Sequence, residues 1–355
     1  MPSHYLLLSQ LPLTIIIACP ITDHNMIDIS NLQPTSVDRI IDRLSSDPQS
    51  SLASTGQSQF TPRDTVNGYF THCSPQPIPD AYLSIYSESA CALLDVNPTT
   101  LGEPGQLDVL SGSTSPSGAT PFALNYSGHQ FGMFCPQLGS GRSVTLGEFV
   151  SQDTKRIELL QKGTGPNCFS RGGDGYCTLS ACLTEAVLSE FCHSIQMPSV
   201  RVLAVAGGAP SVWRKGIKVR RGMITKIAPT FIKFGMFELF YYRQKLDLVK
   251  QLADFLIDTH FQEAKKTHVI LTEHLLPASM FRENQNSADG GELRADVDLK
   301  REEINLTLNK YGALLRLIVS KTAIMIAHWQ AQGFVHGLMN TVTVLSIRII
   351  SMSWG

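Results

Sequence analysis

The sequence predicts an α+β fold of two lobes, a β-rich lobe followed by a helical one, and three observations carry that expectation. Between residues 61 and 235, short β-like runs at 142–150, 156–161, 200–205 and 223–228 alternate with Gly- and Pro-marked turns. Beyond 235 the period changes, and apolar residues recur every three or four positions over 237–260 and 308–332, as on an amphipathic helix. At 355 residues with 43% hydrophobic and 17% charged content, the chain has enough apolar surface for both lobes. Two such lobes leave a cleft between them, a common place for a ligand.

The elements follow in order. Residues 1–60 read as a poorly structured N-terminal segment, because 45–63 is rich in Ser, Gln, Gly and Pro and almost free of apolar residues. Residues 61–235 form the β-rich lobe and 236–355 a partial helical lobe. One helix interrupts the β-rich lobe: after Thr178, Leu179, Leu183, Ala186 and Val187 fall on one stripe, with Pro198 just past the end. The two C-terminal helices are separated by a polar loop around 283–303, and the chain closes on a β-like run over 341–355.

Composition narrows the function. A formal net charge of -1 excludes a globally basic nucleic-acid binder, but the charge is uneven. Residues 201–245 carry ten Lys or Arg against Glu238 alone. Only Trp213 is interleaved among Arg214, Lys215, Lys218, Arg220 and Arg221, so a nucleic-acid partner is not expected and these five read as an exposed loop. The eight cysteines include no CxxC pair, which argues against a zinc site or a disulfide framework and favours a reducing compartment. The apolar segment at 6–19 is interrupted by Ser9, Gln10 and Pro12 and is too short for a bilayer, so no transmembrane helix and no membrane partner are expected.

Four stretches have the residue types of a phosphate site. Gly139 and Gly141 stand at a turn between strands directly before Arg142; glycines let the backbone approach a phosphate and Arg offers paired donors, although taken alone this is more often a plain hairpin turn. Lys162 ends an apolar run before a Gly-rich loop, and Glu185 on the interrupting helix is available to hold it; a solvated Lys and a solvated Glu fit equally well. Asp174 and Gly175 lie in the Gly-dense loop 170–175, which is either a ligand contact or a silent Asp-Gly turn. Lys226 and Lys233 flank Ala228-Pro229-Thr230-Phe231, and Lys226 would share the cleft of Lys162 if 223–228 is a strand. No GxxxxGK[ST] occurs, and Cys168 breaks a dinucleotide fingerprint at 163–168. His336-Gly337 with Asn340 sits where a two-lobed phosphotransfer fold keeps its catalytic loop, but the following Val342 and Thr343 bring neither carboxylate nor amide.

These pieces in this order resemble the selenoprotein O family: SGHQFGMFCPQLGSGR at 127–142, LLQKGTGPNCFSRGGDG at 159–175, KIAPTFIKFGMFE at 226–238 and HWQAQGFVHGLMNT at 328–341, with TPRDTVNGYFTHCSPQPIP at 61–79 similar to its N-terminal block. The resemblance implies a protein-kinase-like fold, ATP and Mg²⁺ or Mn²⁺ as cofactors, and transfer of AMP to Ser, Thr or Tyr hydroxyls of protein substrates. It implies that Gly139, Gly141 and Arg142 contact the phosphates, that Lys162 pairs with Glu185, and that Asp174 and Gly175 touch the far end of the nucleotide. Lys226 and Lys233 stand where the family usually has Arg, which keeps charge but loses the planar fork. The family's base and metal-ligand positions, Asp-Asn after Met-Asn-Thr, are Val342 and Thr343 here. A second metal-binding Asp is expected beyond Gly355, so an incomplete helical lobe and, as the alternative to an enzyme, a catalytically inactive nucleotide-binding protein or scaffold are expectations too. The resemblance suggests the mitochondrion; the N-terminus shows no transit peptide and leaves the cytoplasm open.

Overall fold

The computed structural model describes residues 15–17, 26–35, 39–50, 61–65, 67–265 and 310–343. Eleven strands are defined among them: β1 Ile15–Ile17, β2 Phe70–His72, β3 Tyr82–Ser87, β4 Phe122–Leu124, β5 Gly128–Gln130, β6 Met133–Cys135, β7 Ser143–Val150, β8 Arg156–Lys162, β9 Cys177–Thr178, β10 Arg201–Arg214 and β11 Ile217–Ala228. The helices are α1 Ile40–Arg43, α2 Glu88–Cys91, α3 Pro104–Leu110, α4 Leu179–Ser194, α5 Phe234–Tyr242, α6 Leu246–Thr259 and α7 Lys310–Ala331. Nine strands make one sheet in the order β1-β3-β10-β11-β8-β7-β4-β2, with β9 on β11, while β5 and β6 form a separate hairpin. All its pairings are antiparallel except β1 with β3.

The sheet is built around one long ribbon. β10 and β11 run well past the expected 200–205 and 223–228, because Lys215 and Gly216 both take positive φ (51° and 79°) and reverse the chain tightly enough for pairing to continue to the tip. Of the five residues expected on an exposed loop, Lys215 lies in the turn and the other four in the ladder; Lys215, Lys218 and Arg220 are exposed as expected, whereas Arg221 is buried. Val202, Ala204, Met223 and Ile224 from this ribbon are fully buried, as is most of β8. Strand β8 is buried on both faces, and its polar residues Glu158, Gln161 and Lys162 are buried along with Ile157, Leu159 and Leu160.

Helix α4 lies across β10 and β11. Thr178 caps it, its Oγ1 accepting from Ala181 N at 3.2 Å. The buried side chains are Cys182, Glu185, Ala186, Ser189 and Cys192, while Val187 is 56% exposed. The expected stripe through Val187 is thus rotated. Two lysines on the sheet beneath demand a carboxylate, and Cys182, Ala186 and Ser189 are small enough for close approach; a Cβ on Gly222 would already stand 2.8 Å from the Leu179 Cα.

The helix expected over 237–260 is two helices. The chain breaks at 243–245, where Gln244 is left-handed (φ 57°) and Arg243 donates to the Thr65 carbonyl at 2.7 Å. Helices α5 and α6 then pack Leu239, Phe240, Leu252, Phe255 and Leu256 against Tyr69, Phe70, Phe122 and Leu124 of the sheet, with Tyr69 and Phe240 edge to face at 4.6 Å. The lobes consequently share one apolar core. Helix α7 adds Ala313 and Leu314 to that core and Met325 and Trp329 to a small cluster with Cys192 and Met197. By length and composition α7 alone among the described residues would suffice to cross a membrane, with 22% of that span buried.

Part of the segment expected to be poorly structured is built into the fold. Ile29, Leu32, Ile40 and Leu44 are buried in the two main clusters. Asp47 is buried as well, paired with Arg63 at 2.5 Å. Short apolar residues spaced among polar ones supplied these anchors without a periodic signal. Residues 51–60, the polar loop at 283–303 and the β-like run beyond 343 lie outside the described residues.

Candidate functional site

At the end of β8 an open cavity of about 350 Å³ is walled by Gly139, Gly141, Arg142, Lys162, Asp174, Gly175, Lys226 and Lys233, eight residues singled out from sequence. Pairing explains the convergence. Lys162 stands opposite Ser143 on β7 and Ile224 on β11, and Lys226 opposite Leu160, so the ends of three adjacent strands deliver both lysines to one face.

Glu185 lies behind that face and joins the lysines. Its Oε2 accepts from Lys162 Nζ at 2.6 Å and its Oε1 from Lys226 Nζ at 2.8 Å, with all three side chains buried. Burial alone would raise the Glu185 carboxyl, but the two ammonium groups outweigh it and hold it below the ordinary carboxylate value. Burial pushes the Lys226 ammonium down, with Glu185 opposing. One carboxylate thus serves two cations, and a positive charge is left over at the cavity floor. Sequence reasoning anticipated the pair with Lys162; the second bond, to Lys226, needed the register of β8 and β11.

The roof is a doubled loop. Gly139 takes φ +67°, and a Cβ there would meet the Phe169 ring at 2.3 Å. A Cβ on Gly141 would meet the Phe169 carbonyl oxygen at 2.5 Å. Ser170 Oγ donates to the Gly141 carbonyl, and Asn167 Nδ2 donates to the Ser140 carbonyl at 2.9 Å. Glycines are required here by contact with the 167–175 loop, in addition to any ligand.

The far end is closed around Asp174 by Arg214 and Arg221, two residues that the sequence reading assigned to an exposed loop rather than to the site. Arg214 reaches from the β10–β11 ribbon and grips Asp174 with both terminal nitrogens, at 2.7 and 3.0 Å, and donates to the Tyr176 carbonyl at 3.0 Å. Burial of Asp174 opposes ionisation, yet this guanidinium holds its carboxyl below the usual range. Arg221, expected on an exposed loop, is buried: it lies 4.1 Å over the Tyr176 ring and donates to the carbonyls of Gln76, Pro77 and Gly163. Lys233 Nζ sits 4.2 Å over the Tyr126 ring, which also lines the cavity. An Arg followed by a strand carried no signal of this; only the ribbon's length places Arg214 over the cleft.

Beside the floor, Cys177 and Cys182 occupy the positions just before the cap and in the first full turn of α4, where paired side chains fix a helix entry. The neighbouring Cys182 thiol, with Lys162 near, draws the Cys177 thiol below its ordinary value against its burial.

The loop 336–343 is placed apart from the cavity lining. His336 is buried and stacked on Trp329, ring centroids 6.1 Å apart, and its Nδ1 accepts from Leu338 N at 3.2 Å. Thr343 is buried, its hydroxyl near Leu338 O and Asn340 O at 3.1 Å and accepting from Asn340 N at 3.2 Å. Asn340 Oδ1 accepts from Val342 N at 3.1 Å. Thr341 donates to Glu238 at 2.7 Å, which ties the loop to α5. These residues do not fit a divalent metal. Among the described residues no group of three His, Cys, Asp or Glu converges, the carboxylates of Asp174 and Glu185 are held by cations, and Val342 offers no donor atom.

Residues 56–355 match the family described as protein adenylyltransferase SelO. The chain belongs to this family. It is 33% identical over 287 residues to the protein nucleotidyltransferase YdiU of Thiobacillus denitrificans, and 36% identical over 287 residues to that of Stutzerimonas stutzeri. A further YdiU, from Pseudomonas fluorescens, is 35% identical over 290 residues. Each comparison covers 81% of this chain and 50–51% of the relative, so the chain spans about half the length of the curated relatives it matches. The mixed sheet-and-helix architecture is the kinase-like fold expected of the SelO family.

Proposed function

We propose that this chain binds ATP in the cavity at the end of β8, and that the reaction it serves is the SelO transfer of AMP to Ser, Thr or Tyr hydroxyls of proteins. The observation that carries the reading is the buried Lys162–Glu185–Lys226 triad, which presents fixed cations under a Gly-rich roof. Arg142 and Lys233 face the same volume and complete a set suited to a triphosphate. Asp174 and Gly175, held over the opposite end by Arg214, receive the remainder of the nucleotide.

In the transfer, the hydroxyl oxygen bonds to the α-phosphorus, the bond from that phosphorus to the β-phosphate bridge breaks, and pyrophosphate leaves. The hydroxyl proton needs an acceptor. Divalent metal, which the family generally uses, would supply charge neutralisation of the triphosphate, but the described residues provide no ligand set for it. Val342 stands at the family's base position and accepts no proton, which favours a second reading: nucleotide binding without transfer.

One experiment separates the two. The purified chain is incubated with α-labelled ATP and Mg²⁺ or Mn²⁺, with its own hydroxyls and a generic protein as acceptors and Lys162→Ala as control. Label that is lost in the control supports transfer. Absence of label, with ATP binding that depends on Lys162, supports the binding protein, and absence of ATP binding overturns both.

A further inference from the structure

The geometry points to Tyr176 as the platform on which the base of the nucleotide stacks. This rests on the ATP-binding reading above and adds the base to it. Strand register gives the cavity a direction. From Lys226 toward the ribbon tip, β11 passes Ile224, opposite Lys162 on β8, and then Gly222, opposite Cys177 on β9. Tyr176 precedes Cys177 and has its ring against Arg221, so it belongs to the side of Lys162 that faces away from Lys226. The strand covers about 13 Å between Lys226 and Gly222, which separates a polyphosphate on the two lysines from a base at Tyr176.

The ring is fixed in advance. Arg221, itself buried, lies 4.1 Å over one face of it and is anchored on the carbonyls of Gln76, Pro77 and Gly163. The phenol hydroxyl donates to Gln76 Oε1, and a Cβ on Gly165 would stand 3.0 Å from Tyr176 Cε1, so the ring is held at its edge as well. The backbone is tied down too: Arg214 donates to the Tyr176 carbonyl at 3.0 Å, and Tyr176 N donates to Asp174 Oδ1 at 3.1 Å. With all these contacts the side chain is still only half-buried and forms part of the cavity wall. A flat base laid on a ring already held in place costs little further ordering, and stacking suits a base because its π face needs no hydrogen-bond partner. Tyr126 also lines the cavity, but there Lys233 Nζ, 4.2 Å over the ring, lines it too and suits phosphate.

Isothermal titration of the full chain with ATP and with ribose triphosphate, which lacks the base, tests this in Mg²⁺ buffer. The parent should bind ATP about tenfold tighter. Tyr176→Leu, with folding checked by circular dichroism, should lose about tenfold in ATP affinity while ribose triphosphate stays within about twofold. Tyr176→Phe, which keeps the ring and drops the bond to Gln76, should restore ATP binding. In the parent with ring-labelled tyrosine, the signal that Tyr176→Phe removes should shift with ATP and stay in place with ribose triphosphate. Equal losses for the two ligands in Tyr176→Leu would mean a structural ring and overturn the inference, as would an unmoved Tyr176 signal or an ATP preference that survives in Tyr176→Leu. Those results leave the nucleotide reading standing, whereas binding of neither ligand to the parent overturns both.

Discussion

The two sides of the molecule that a phosphotransfer fold brings together differ in kind. On the sheet side, Lys162, Glu185, Lys226, Asp174 and Arg214 form ion pairs around an open cavity. On the helical side, the loop from His336 to Thr343 is tied by hydrogen bonds within itself and to His129, Gly235 and Glu238. The first gathers charged side chains around a cavity, and the second is fastened by hydrogen bonds to itself and to its neighbours. On the proposed reading, binding and transfer would rest on separate sets of residues and could be lost separately.

The largest expected effect breaks the sheet side. Glu185→Ala leaves two buried ammonium groups without a counter-charge, and urea denaturation should show a loss of about 3–5 kcal/mol. Because the Glu185 carboxyl is held below its ordinary value, its contribution is present at neutral pH and disappears as pH falls through that lowered value. Lys162→Ala should cost less stability, since Lys226 keeps its bond to Glu185, yet lower ATP affinity by about tenfold or more in titration calorimetry.

A pH experiment sharpens the contrast. Glu158 is buried, its oxygens accepting from Thr230 Oγ1 at 2.6 Å and Phe231 N at 2.8 Å, and burial together with Glu148 pushes its carboxyl up to about 8. A raised acid binds its proton more tightly in the folded chain, so stability should fall as pH rises from about 4.5 to 8. Glu158→Gln should flatten that fall, measured as melting temperature against pH. The smallest effect is on the helical side: Val342→Asp should leave ATP affinity within about twofold of the parent, because residue 342 does not line the cavity.

How much of this was legible in the sequence follows from how each feature is encoded. The strand ends, the glycine turn, Lys162 and the two C-terminal helical patterns are local, and local patterns can be read. The Lys226–Glu185 bond, the inward turn of α4 and the reach of Arg214 depend on which strands pair and how far, information that no single window contains. Arg221 and Glu158 show the same limit. Charged residues read as solvated by default, and their burial is made tolerable here by the Tyr176 ring and three backbone carbonyls around Arg221, and by the Thr230 hydroxyl and Phe231 amide at Glu158.

The interlocking of Gly139 and Gly141 with Phe169 and Ser170 has a kinetic meaning. Two loops that share their contacts this closely should open together, so on the proposed reading a nucleotide held under them would leave only when both lift. Residence time should then be set by that joint opening, and stopped-flow displacement would show slow release even where equilibrium affinity is modest.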